Sequence, residues 1–174
     1  TISKKQQTPS LKNFEKSNDI NKMGTVDKVL TAGDLVLLQI TKEPISTKGP
    51  RISTQISLTG RFLVLIPFDN KISVSKKVAN PEEKTRLKTL IESIRPEGFG
   101  VIIRTVAEGK KVAELHNDMN QLIKKWETTF KNIQKNKVPS KILSEEDKAS
   151  SILRDNFNQD FVSIICDDEK MVDD

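Results

Sequence analysis

Residues Val101–Leu115 read VIIRTVAEGKKVAEL, and the fold turns on how this stretch divides. Val101-Ile102-Ile103 is a β-branched apolar run that suits a pleated, half-buried strand. Ala107-Glu108-Gly109 breaks the pattern, and from Lys110 onward apolar residues recur at helical spacing. The strand therefore ends by presenting Arg104 and Thr105 together. Arg offers a planar fork of charged donors and Thr a short hydroxyl donor, a pair suited to holding a phosphate. A surface arginine at a strand end satisfies the same local pattern, so the residues alone leave both readings open.

Downstream, Val112, Leu115, Met119, Leu122, Trp126, Phe130 and Ile133 recur at steps of three or four, which predicts a helix over 110–136. Trp126 lies on this stripe and is expected to be buried. Pro139 closes the region. A second helix is predicted over 144–157, with Ser144 as N-cap, Glu145 and Glu146 in its first turn, and Ala149, Ile152, Leu153 and Phe157 facing inward. Phe161–Cys166 is read as a final strand before an acidic tail.

Upstream, Asn80, Pro81, Glu82 and Glu83 form a helix start, with an N-cap, a proline at the first position and acids at the positive end. Leu87, Leu90, Ile91 and Ile94 make one apolar face, so a helix is predicted over 81–95, stopped by Pro96 and Gly98. Arg61–Ile66 and Phe99–Ile103 are expected to pair in parallel across it. Residues 25–77 read as short strands: Leu35–Ile40, the alternating Ile52–Leu58, Arg61–Ile66 and Ile72–Val74. The loop Thr41–Arg51 between the first two carries Lys42, Lys48 and Arg51. This pattern suits an OB-like barrel. Residues 1–24 read as a polar arm, with Leu11 and Phe14 as local anchors.

A chain of 174 residues, 35% hydrophobic and 30% charged, holds one domain or two small ones. No apolar run approaches the ~20 residues that span a bilayer, and the first residues lack a secretory apolar core. The chain lacks an initiator Met and stops on Asp173-Asp174 soon after a strand-like segment, and so reads as a fragment of a longer protein. The single cysteine, Cys166, has no disulfide partner and is expected to be a buried thiol in a strand. With one histidine, His116, it makes no zinc set.

Net charge is +5 and unevenly spread: residues 1–77 hold 13 Lys/Arg against 6 Asp/Glu, and the remainder 16 against 18. A basic, strand-rich half suggests a polyanionic partner, with RNA or DNA as the default. No Ser/His/Asp or Cys/His set and no glycine-rich phosphate loop is present. Asp167-Asp168-Glu169 and Asp173-Asp174 contain hard-cation ligands, but a terminal acidic run is more simply a solvated tail.

Three ordered segments, ITKEPISTKGPRISTQISLTGRFLVLIPF (Ile40–Phe68), ISVSKKV (Ile72–Val78) and IIRTVAEG (Ile102–Gly109), resemble the N-terminal catalytic half of the bacterial ribonuclease E/G family. Lys125-Trp126-Glu127 and Ser151-Ile152-Leu153-Arg154-Asp155 continue the match in order, so the resemblance runs from about Val29 to about Glu169. It implies an α+β fold. A partial OB-like (S1) β-barrel over 25–58 is followed by an α/β 5′-sensor subdomain over 59–110. A linking helix and part of a helix-rich, ribonuclease H-like subdomain occupy 111–174, and the 1–24 arm becomes an insertion.

The resemblance also implies roles. Arg104 and Thr105 occupy positions that grip the 5′-monophosphate of RNA. Gly60 and Val64 match positions lining that pocket and contacting the first nucleotides, partly through backbone groups. Lys76 stands where a basic residue, usually Arg, supports the pocket, and Lys77 follows the same pattern. Lys for Arg keeps the charge but loses the bidentate fork. Lys48 matches an S1-domain lysine that contacts RNA. The family's magnesium-holding carboxylates and its zinc-binding cysteine pair, which links subunits, fall beyond residue 174, so neither a catalytic nor a metal-binding residue is expected in this chain. The implied parent is a cytoplasmic endoribonuclease of RNA processing and decay. It acts on single-stranded RNA with a 5′-monophosphate, has no membrane association and can form homo-oligomers, and the fragment alone is expected to be inactive. Two other readings stay open: a stand-alone, non-catalytic RNA-binding module using the basic OB-like half, and an assembly element built on the long helix.

Overall fold

A computed structural model describes residues 11, 23–144, 148–158 and 160–167. Chain contacts divide it into two compact units, Thr1–Leu143 and Ser144–Asp174. Its described residues form a mixed α+β structure with three helices and two small sheets.

The first unit holds most of the structure. Strands β1 (Gln39–Lys42) and β2 (Arg51–Ser53) make an antiparallel pair. A second sheet contains β3 (Leu58–Thr59), β4 (Leu63–Pro67), β5 (Ile72–Val74) and β6 (Phe99–Ile103), in the order β3-β4-β6-β5. Helix α1 (Pro81–Ile94) joins β5 to β6, and α2 (Val112–Lys135) follows β6 after a short 3-10 turn, Thr105–Ala107.

Period-two alternation sorts the second sheet's side chains. Leu58, Leu63, Leu65, Phe99, Val101 and Ile103 point to one face and are buried under Leu87 and Ile91 of α1 and Leu115, Met119, Leu122, Trp126 and Phe130 of α2. Trp126 is fully buried, as its place on the stripe predicts, with Phe68, Phe99 and Phe130 ring centroids 5.5, 6.3 and 5.9 Å away. Phe68 has φ +64°, a left-handed backbone that costs a non-glycine residue about 1–2 kcal/mol. Its edge-on contact with Trp126 and the Asp69 carboxylate, which accepts the Asn70 and Lys71 N–H groups at 2.7 and 3.1 Å, hold the turn between β4 and β5.

Helix α1 begins as expected, with Asn80 Oδ1 accepting the Glu82 N–H at 2.8 Å and Pro81 in the first turn. Leu11 is buried, which fits its expected anchoring role, while Phe14 and the rest of 1–22 lie outside the described residues.

Several expectations are corrected. β4 and β6 pair antiparallel, and the parallel pair across α1 is β5 with β6. The turn over residues 68–71 reverses the chain before α1 begins, so the helix crosses from β5, not β4. The alternating Ile52–Leu58 stretch is not one strand. Ser53 Oγ accepts the Gln55 N–H at 3.1 Å, and this local turn competes with the ladder. β3 then restarts at Leu58 in the other sheet. Leu35–Ile40 contributes only its end to β1; instead, the Gln39 side-chain amide accepts the Ser57 N–H at 2.8 Å and donates to its carbonyl at 3.0 Å, imitating a strand neighbour.

In the second unit, α3 spans Lys148–Asn156, and residues 145–147 of the predicted helix lie outside the described residues. Phe161–Cys166 is not a strand, because no described segment supplies its ladder partner, and Cys166 is half-buried rather than enclosed. Ala149, Ile152 and Phe157 are exposed, and Leu153 is half-buried. A nine-residue helix buries a face only against another element, and the described part of this unit contains none.

Candidate functional site

The topology brings three chain segments to one edge of the four-stranded sheet. β5 and β6 run in parallel, so both end there, and the antiparallel β4 begins there. Ile103 is the common register point, paired with Val74 on one side and Leu63 on the other. Beyond it lie Ser75, the Arg104-Thr105 pair and the loop Gly60–Phe62. The carboxyl ends of parallel strands are where open α/β sheets generally present ligands.

Arg104 is half-buried and tied into this edge. Its Nη1 donates to the carbonyls of Gly60 and Arg61 at 2.7 and 3.0 Å, and its backbone N–H donates to the Phe62 carbonyl at 2.8 Å. The loop is held from the other side by Asp118 of α2, a buried carboxylate. Oδ1 accepts the Arg61 N–H at 3.0 Å, and Oδ2 accepts those of Phe62 and Leu63 at 2.9 Å each. The Gly60 N–H completes the set by donating to Leu63 O at 2.8 Å. Every backbone polar group of Gly60–Leu63 is thus hydrogen-bonded, which lets an irregular loop sit against the core.

Gly60 is required by space. A Cβ there would lie 2.6 Å from Asp118 Oδ1, and the three N–H groups on that carboxylate resist its displacement. With its N–H and carbonyl both engaged inside the protein, Gly60 serves the edge through its missing side chain and through its carbonyl on Arg104.

Thr105 is half-buried, with its Oγ1 3.0 Å from Ser75 Oγ. Lys76 and Lys77 are exposed in the turn that follows Ser75. Val64 lies on the sheet face opposite the core, in a cross-strand row with Thr59, Ile102 and Ser73. Lys48 is exposed in the loop that connects β1 to β2, where its backbone bridges Ile45. Around the Gly60–Phe62 loop, two cations approach the Phe62 ring, with Arg61 Cζ 5.3 Å and Lys110 Nζ 5.6 Å from its centroid.

The connector after Thr105 is latched to α1. Glu83 pairs with Arg86 through two short bonds, 2.6 and 2.7 Å, and accepts the Gly109 N–H at 2.9 Å. Arg86 Nη2 also donates to the Lys110 carbonyl at 3.2 Å. The Arg86 guanidinium, and secondly the Gly109 N–H, pull the Glu83 carboxyl down from 4.5 to about 2.

Asp118, Ser75 and the Glu83–Arg86 latch escaped the sequence reading. Asp118 alone left a signal, a carboxylate set directly beside Met119 on the apolar stripe of a helix, where an acid is buried only when paired.

Chemically, the edge gathers cations and hydroxyls, which suits an oxyanion. Among the described residues no three His, Cys, Asp or Glu side chains converge to hold a metal ion. His116 is exposed on α2, with Nδ1 3.3 Å from the Asn120 side-chain nitrogen. No helix among the described residues is long and apolar enough to cross a membrane.

Comparison with known proteins adds an independent finding. The profile of the Ribonuclease E/G family matches residues 57–174. Ribonuclease E from Nostoc sp. is 34% identical over 142 residues, covering 82% of this chain and 21% of its own length. Ribonuclease G from Haemophilus influenzae is 36% identical over 134 residues, covering 77% of this chain and 27% of its own. Ribonuclease E from Escherichia coli is 32% identical over 149 residues, covering 85% and 14%. The chain therefore spans about a quarter or less of the length of these relatives. A solved structure of the RNase P protein from Staphylococcus aureus overlaps 42% of this chain and 76% of its own, at 24% identity and a TM-score of 0.35, too partial a likeness to bear on function.

Proposed function

The chain belongs to the ribonuclease E/G family, and from that premise we propose that it senses the 5′ end of single-stranded RNA, gripping a 5′-monophosphate with Arg104 and Thr105. The observation that carries the reading is the clamped Arg104, next in sequence to Thr105, whose guanidinium is held by the Gly60 and Arg61 carbonyls. A guanidinium held in place loses little freedom when an anion arrives, so more of its interaction is available for binding.

A terminal monophosphate carries about −1.5 to −2 charges at neutral pH and three free oxygens, more than an internal phosphodiester presents. Arg104 and Thr105 hold it, Gly60 keeps the loop close, Lys76 adds charge, and Val64 offers an apolar contact to the first nucleotide. Lys48 and Lys77 draw the following strand electrostatically. Residues 25–58 then act as part of an S1-type RNA-binding domain, 59–110 as the 5′-sensor, and 111–174 as the linking helix and part of a ribonuclease H-like subdomain. The chain works where cellular RNA is processed, in the cytoplasm. It binds without cutting, and the parent enzyme cleaves with magnesium and joins subunits through zinc, both held outside this chain.

The test is a titration with short RNAs ending in 5′-monophosphate, hydroxyl or triphosphate. The monophosphate end is expected to bind best, and Arg104→Ala to remove that preference at a cost of ~1.5–3 kcal/mol. Because Arg104 also ties down the loop, thermal unfolding of the variant is measured alongside. Equal binding of all three ends by a folded wild-type chain rejects the sensor reading and leaves a general RNA-binding module.

A further inference from the structure

We propose that Ser75 is a positioning residue of this grip, turning the Thr105 hydroxyl proton toward the bound 5′-phosphate. The proposal rests on the sensor reading and deepens it. Ser75 lies one residue beyond β5, where the parallel register sets Val74 beside Ile103. Its backbone is pinned on both sides: the N–H donates to Ile103 O at 2.9 Å, and the carbonyl accepts the Val78 N–H at 3.2 Å. The side chain therefore starts from a fixed point.

Ser75 Oγ lies 3.0 Å from Thr105 Oγ1 and accepts the Lys77 N–H at 3.3 Å. A hydroxyl has one proton to give. The arrangement in which each hydroxyl accepts once and donates once runs from the Lys77 N–H to Ser75, and from Ser75 to Thr105. The Thr105 proton is then left to point onward as a donor. The opposite arrangement turns that proton inward to Ser75 and offers an anion only an oxygen lone pair. With the protons running in the first direction, Ser75 leaves Thr105 to meet a phosphate as a donor, and hydrogen bonds in such a chain polarise one another. A 5′-hydroxyl end lacks the charge that would draw on this donor, so the effect falls on the monophosphate.

The test uses short RNAs ending in monophosphate or hydroxyl, titrated onto the wild-type chain and its variants. Ser75→Ala is expected to lower the ratio of monophosphate to hydroxyl affinity about 2- to 10-fold, and Ser75→Thr to restore it. In a Thr105→Ala background, Ser75→Ala is expected to change nothing further, the mark of a residue acting through its partner. An unchanged ratio in Ser75→Ala overturns the proposal. A Ser75→Ala effect that persists undiminished without Thr105 overturns it as well. The arms keep the two readings apart. A wild-type chain without monophosphate preference, or an Arg104→Ala variant that keeps it, removes the sensor reading and the Ser75 role with it. A preference that needs Arg104 but ignores Ser75 removes the Ser75 role alone.

Discussion

Both sheets carry isoleucine on their strands, Ile40 and Ile52 in one and Ile66, Ile72, Ile102 and Ile103 in the other, and they end differently. In the four-stranded sheet Leu63, Leu65, Val101 and Ile103 have no exposed surface. In the two-stranded pair Ile40 and Ile52 keep 62% and 54% of theirs. The difference lies in the cover. Helices α1 and α2 bring apolar stripes over the first sheet, and the second is held mainly by its ladder and the polar clip from Gln39 to Ser57. An apolar strand becomes core only where another element lies over it.

The largest test of this contrast is Trp126→Ala. Removing the side chain at the centre of the covered layer is expected to cost ~3–5 kcal/mol, read by denaturant unfolding. Ile52→Ser in the uncovered pair should stay within ~0.5 kcal/mol. Comparable losses at the two positions would mean that Ile52 is buried in solution. Next comes Gly60→Ala, which forces a methyl group toward Asp118 and is expected to cost ~1–3 kcal/mol. It should also weaken monophosphate binding, because the displaced loop no longer aims Arg104. A variant that keeps both stability and binding would show that the loop shifts freely.

The Glu83 latch gives a smaller, pH-dependent effect. A carboxyl whose folded value lies near 2 stabilises the fold above its ordinary 4.5, and the contribution is lost as pH falls from 4.5 toward 2. Wild type is therefore expected to exceed Glu83→Gln in melting temperature at neutral pH, with the gap closing on acidification. A gap that widens in acid would contradict the pairing. The smallest effect is expected at Lys48, in the loop that joins the two strands of the uncovered pair. Lys48→Ala should weaken binding of all RNA ends alike and reduce the salt slope by about 1. An end-specific loss would instead tie Lys48 to the phosphate grip.

Local chemistry made several elements readable in advance. Asn80-Pro81 starts a helix because its side-chain oxygen and fixed φ act within one turn, and the Leu115–Phe130 stripe announces burial because helical spacing puts it on one face. Strand pairing was less legible. The reversal over residues 68–71, which makes β4 antiparallel to β6, depends on a left-handed Phe68 that no local propensity favours. The Phe161–Cys166 run looked like a strand because β-branched residues favour extended backbone, but a ladder needs a partner that propensity cannot supply.

At the sheet edge the same division holds. The Arg104-Thr105 pair and its place at a strand end are properties of the sequence, since an apolar run followed by a break puts them there whatever surrounds it. What holds the pair in place was decided by the tertiary structure alone. Asp118 is 57 positions from Arg61, and Ser75 is 30 from Thr105, distances that only the parallel crossover and the packing of α2 on the sheet bring within a hydrogen bond. Residue types in sequence order fix which groups are available; which of them meet depends on chain crossings whose energy lies in packing, and packing is not a property of any one stretch.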